Sequence, residues 1–88
     1  MTIWKYEFEI ADEVKISMPL GAEILSVGTQ RRGFICVWAL LDPNASTITR
    51  LFRVFGTGHP FDVVMYKFWG TVTEDYNGVP AAWHIFEV

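Results

Sequence analysis

The chain predicts an all-β domain, a single small antiparallel sandwich or partly closed barrel of about seven strands. Three observations carry this expectation. Apolar and polar residues alternate with a period of two over residues 2–10. Clusters of turn-forming residues recur at roughly eight- to twelve-residue spacing. No stretch repeats its apolar residues at helical spacing.

Trp4, Tyr6, Phe8 and Ile10 share one side of residues 2–10, and Lys5, Glu7 and Glu9 share the other, the pattern of a half-buried strand. Ala11-Asp12-Glu13 is a short polar turn. Val14, Ile16 and Met18 then alternate with Lys15 and Ser17 in a second strand, expected to pair with the first as a hairpin. Pro19-Leu20-Gly21 turns a corner, because proline lacks the donor that a ladder needs. Residues 22–30 resume as a strand in which Gly28 marks a bulge or a close backbone approach. Arg31-Arg32-Gly33 is the tip of the next hairpin. Residues 34–41 are apolar on both faces, which places that strand at the centre of its sheet or between the sheet and a subunit neighbour.

Asp42-Pro43-Asn44 is a turn by composition. Over residues 48–55, Phe52 and Val54 share one face and Leu51, Arg53 and Phe55 the other. Arg53 therefore lies on an otherwise apolar face and needs an anion or a partner. Residues 61–66 read as irregular or as one helical turn capped by Asp62. Residues 67–73 form a strand, Asn77-Gly78 suits a type I′ hairpin turn, and residues 79–88 close the fold.

Eighty-eight residues suffice for one domain, 1–88. At 51% hydrophobic and 16% aromatic, the chain carries enough large rings to hold a small core without staples. The surplus of apolar groups points to a homo-oligomer built on residues 34–41 or 79–88. Cys36 is the only cysteine, so no internal disulfide forms, and a reducing, cytoplasmic setting is the simplest expectation. Glu7, Glu9, Asp12 and Glu13 stand where a secretory leader needs basic and apolar residues. No apolar run is long enough for a membrane span.

A net charge of −3 argues against general nucleic-acid binding. All four arginines, Arg31, Arg32, Arg50 and Arg53, fall between residues 26 and 61, and every lysine lies outside that segment. Arginine is the side chain suited to forked recognition of carboxylate or phosphate. Four arginines on two strands can equally well pair with the acidic flanks.

Several blocks resemble a family of small, largely uncharacterised proteins of bacteriophages and related mobile elements. They are Ile3-Trp4-Lys5-Tyr6-Glu7, Met18 to Val27, Trp38-Ala39-Leu40 with Asp42-Pro43, Phe55 to Pro60, and Trp83-His84-Ile85-Phe86. The resemblance implies a phage product in the cytoplasm of a host bacterial cell, and it carries no established activity.

The candidate site is the glycine-rich segment after residue 55. Arg53, Gly56, Thr57, Gly58 and His59 would bind a small anionic ligand, with Arg31, Arg32 or Arg50 reaching in. The alternative is a plain corner, its glycines serving positive φ and His59 stacked on Phe61 or bonded to a carbonyl. No metal site is expected, since Cys36, His59 and His84 show no ligand spacing, and no cofactor is implied. Without a nucleophile elbow, and with a mid-strand thiol, no catalytic residue is assigned and the chain is not expected to be an enzyme. His84 reads as core or interface, and Asp62, Glu74 and Asp75 as solvated. Two functions follow as expectations. One is a non-enzymatic binder of a nucleotide-type ligand that sequesters a host defence signal. The other is a protein-interaction module that inhibits or redirects a host protein.

Overall fold

The computed structural model describes residues 1–60 and 67–88. Seven strands run through them: β1 (Thr2–Glu9), β2 (Glu13–Pro19), β3 (Glu23–Gly28), β4 (Phe34–Leu41), β5 (Thr47–Gly56), β6 (Lys67–Tyr76) and β7 (Val79–Glu87). They pair antiparallel in two sheets, one ordered β1-β4-β3 and the other β2-β5-β7-β6, which are not closed into a barrel. The expectation for residues 61–66 and Asp62 lies outside the described residues.

The first two strands do not form the hairpin that their spacing predicts. β1 pairs with β4 and β2 with β5, so the short turn between them crosses from one sheet to the other. Ile10 N–H donates to the Gly33 carbonyl at 2.9 Å on one side of the crossing. On the other side, the Asp12 carbonyl accepts from Val54 N–H at 3.1 Å. The reason is burial. A hairpin would set two apolar faces side by side in one sheet with nothing above them. Splitting the strands between sheets turns Tyr6 and Phe8 toward Ile16 and Met18 across the core.

That core contains Met18, Ile35, Val37, Leu41, Phe52 and Ile85, all fully buried, with Trp69 and Trp83 packed against it. β4 is central, as its two apolar faces predict, and Cys36 is fully buried on it. β7 is internal too, between β5 and β6, so neither β4 nor β7 can pair edge to edge with a copy of the chain. Among the described residues, the strands that end the two sheets are β1, β3, β2 and β6.

The Arg31–Gly33 tip joins β3 to β4 as predicted. The second hairpin turns at Asn77 and Gly78, with φ of 53° and 84°, the pair of positive angles that a type I′ turn requires. The bulge in β3 falls between Ile24 and Ser26 rather than at Gly28. Gly28 instead admits a neighbour: a Cβ there would stand 3.2 Å from the Trp38 ring.

Candidate functional site

Alternation along β5 sends Arg50, Phe52 and Val54 to the same side, the interior. An inward arginine needs a partner, and Glu87, placed opposite Phe52 on β7, supplies it. Arg50 Nε donates to Glu87 Oε2 at 2.6 Å and Nη2 to Oε1 at 2.7 Å, a forked pair with both side chains 14% exposed. Arg50 Nη1 donates to the Ala22 carbonyl at 2.6 Å, and Trp69 Nε1 donates to Glu87 Oε1 at 2.9 Å.

Burial works to raise the Glu87 carboxyl, but hydrogen bonds from Arg50 and Trp69 and the charges of Arg50 and Lys67 outweigh it. The group is held below the usual carboxylate range. The charge of the same arginine acts on the Tyr6 hydroxyl, which burial pushes up and Arg50 pulls partly back.

Ala22, Arg50, Trp69 and Glu87 line an open cavity of about 580 Å³, together with Gly21, Glu23, Ile48 and Lys67. Lys67 Nζ lies 4.4 Å from the Trp69 ring centroid, a cation–π contact, and Lys67 forms no ion pair among the described residues. Sequence reasoning missed Glu87, Trp69 and Lys67. The parity of Arg50 with Phe52 and Val54 was the available signal; the β5–β7 register that brings Glu87 opposite was not.

The predicted glycine site is built differently. Arg53 points to the other side of β5, opposite Glu13, with Nε 3.9 Å from Glu13 Oε2 and its guanidinium 5.3 Å from the Phe55 ring centroid. Gly56 ends the strand. His59 N–H donates to the Gly56 carbonyl at 3.1 Å, and Gly56 N–H donates to His59 Nδ1 at 3.2 Å, so the imidazole folds back over the turn. A Cβ on Gly56 would meet His59 Cε1 at 2.8 Å, so a side chain there would have to push the imidazole aside.

With Nδ1 accepting, the neutral His59 ring carries its proton on Nε2. Thr57 Oγ1 lies 2.8 Å from His84 Nε2, and His84 Nδ1 lies 2.9 Å from Thr71 Oγ1. His84 therefore ties the turn to β6. Gly58, at φ 87°, and His59 stay exposed, and His59 lines a smaller groove of about 220 Å³ beside Pro80 and Trp83.

Arg31 and Arg32 are engaged at the hairpin tip. Arg31 Nη2 lies 2.9 Å from Glu7 Oε1, with the guanidinium 3.6 Å above the Phe34 ring. Arg32 Nη2 donates to the Asp75 carbonyl at 3.2 Å and sits over Tyr76. Gly33 N–H donates to Glu74 Oε1 at 2.9 Å, and the Tyr76 hydroxyl donates to Glu74 Oε2. These bonds clamp the β3–β4 tip onto the β6–β7 hairpin. Burial and the hydrogen bond and charge of Glu7 push the Cys36 thiol up, away from the reactive thiolate.

The eight predicted residues are thus not gathered in one place. Arg50 and Gly56 stand six positions apart on one strand, about 20 Å at the usual rise per residue. Arg53 faces away from Arg50, and Arg31 and Arg32 are tied to their own neighbours. Among the described residues, no three of His, Cys, Asp and Glu are grouped to hold a metal, and no helix is long and apolar enough to cross a membrane.

The chain belongs to the family of a domain of unknown function, DUF7352, whose model matches residues 1–88. No curated protein and no solved structure matches it.

Proposed function

We propose that the protein is a non-enzymatic binder of a small anionic, nucleotide-type ligand, seated in the cavity between Arg50, Lys67 and Trp69. The observation that carries this reading is the cavity itself. Its volume of about 580 Å³ falls in the range of small-molecule sites, and an arginine, a lysine and an indole meet in it. Arg50 uses three N–H groups on Glu87 and Ala22, which leaves two of its five for a ligand. Glu87 holds the guanidinium in place before any ligand arrives, so little ordering cost remains on binding. Lys67 supplies an exposed cation, and displacing it from Trp69 frees a ring face for a base. In an infected bacterium, such a binder would sequester a nucleotide signal. Arg53 and the Gly56–His59 turn lie outside this cavity and act as scaffold.

Calorimetry against mono-, di- and cyclic nucleotides and inorganic phosphate tests the proposal. A nucleotide bound by the wild type should lose roughly ten- to a hundred-fold in affinity in Lys67→Ala, the value of one charge-assisted contact. No binding to any of them, or equal binding by the variant, removes the reading.

A second reading, a protein-interaction module acting on a host protein, is favoured by apolar side chains left at the surface. Ile3 is 56%, Leu20 58% and Leu25 47% exposed. Native mass spectrometry of the protein purified from its host separates the two, since a retained small molecule and a retained polypeptide differ in mass.

A further inference from the structure

We propose that the protein self-associates through the free edge of β1, two copies pairing antiparallel about a two-fold axis at Tyr6. Four strands end the two sheets, and three of them are poor templates. β3 is broken by the bulge between Ile24 and Ser26, β6 by one between Phe68 and Gly70, and β2 is shorter and closes on Pro19. β1 runs eight residues in unbroken register.

The backbone groups it offers can be assigned. Ile10 N–H bonds the carbonyl of Gly33, its direct partner, so Ile10 belongs to a hydrogen-bonded pair of the antiparallel ladder. Such pairs recur every second residue, which assigns Phe8, Tyr6, Trp4 and Thr2 to bonding with β4. The N–H and carbonyl groups of Ile3, Lys5, Glu7 and Glu9 therefore point to the open edge.

Two β1 edges bond only in registers that set these four residues against one another. With the axis at Tyr6, Lys5 of each copy stands opposite Glu7 of the other, twice, and Ile3 stands opposite Glu9. Sliding the copies by two residues either way sets Lys5 against Lys5 or Glu7 against Glu7 at the axis, which like-charge repulsion disfavours. Charge complementarity selects one register and a second copy of this chain as the occupant. The same register lays Trp4 against Phe8 on the core side of β1. There Trp4 is 43% exposed in the single chain although it shares a side with Tyr6 and Phe8.

Sedimentation velocity at micromolar concentration tests this, with circular dichroism confirming that each variant keeps its β-sheet. The wild type should sediment at about twice 10.1 kDa. Lys5→Glu and Glu7→Lys should each weaken the dimer about ten-fold or more, having turned two attractive pairs into repulsive ones. An equimolar mixture of the two variants should restore it, since both pairs between positions 5 and 7 are then opposite in sign. Lys5→Pro removes an edge-facing N–H and no bond to β4, so it should give a folded monomer even where Glu7→Lys disturbs the contact with Arg31. A wild type sedimenting at 10.1 kDa, a dimer indifferent to Lys5→Glu and Lys5→Pro, or folded variants whose mixture stays monomeric overturns the proposal.

Discussion

Arg50 and His59 are both polar side chains placed by β5, one within the strand and one in the turn that ends it, and their surroundings differ in kind. Arg50 faces the core, so water cannot solvate it fully, and the Ala22 carbonyl of the β2–β3 corner and the Trp69 indole of β6 converge on the pair it forms with Glu87 of β7. His59 faces solvent and is held by its own turn, three residues from Gly56. The long-range cluster leaves an open cavity with donors to spare, whereas the local one closes on itself. Polar side chains therefore meet around an open cavity where the fold brings distant groups together and not where the backbone is merely permissive.

Breaking the first cluster should have the largest effect. Glu87→Ala leaves a largely buried guanidinium without its carboxylate and should cost about 3 kcal/mol, read from urea denaturation midpoints. Replacing both partners, as Arg50→Met with Glu87→Leu, should recover most of that loss, because no unpaired charge remains. If the double variant is no better than Glu87→Ala, packing rather than charge dominates that end.

Acid sharpens the same contrast. Folding lowers the Glu87 carboxyl below its ordinary value of 4.5. The stability it contributes is therefore present above that value and is lost as pH falls through the lower folded value. Glu87→Gln should flatten the acid limb of the stability profile below pH 4.5, and an unchanged limb would assign the acid sensitivity to other carboxyls, Glu7 among them.

The turn should respond less. Gly56→Ala forces the His59 ring aside and should cost about 1 kcal/mol, the worth of the bond it breaks. In a His59→Ala background the same change should be nearly neutral, and a double-mutant cycle measures the difference. Smallest of all, His84→Ala gives up two exposed hydroxyl contacts and should cost under about 1 kcal/mol, visible as a few degrees in the thermal midpoint.

Period-two alternation, Pro and Gly breaks and the Asn77-Gly78 pair by themselves determined the fold class, the strands and both tight hairpins. Those features act over a few residues, and the chain cannot evade them: alternation sets the two faces of a strand, and a positive-φ pair sets a turn. The doubly apolar run at 34–41 likewise announced its central place. Which strand lies beside which was beyond such signals. Ala11-Asp12-Glu13 has the composition of a hairpin turn, yet burial of two apolar faces against each other sends β1 and β2 to different sheets. Glu87 carries no local mark of its role, because its partner lies 37 residues away and meets it only through the β5–β7 register. The four arginines cluster in the sequence and disperse in space for the same reason. Strand parity and pairing decide where a side chain points, and pairing is a property of the whole sheet.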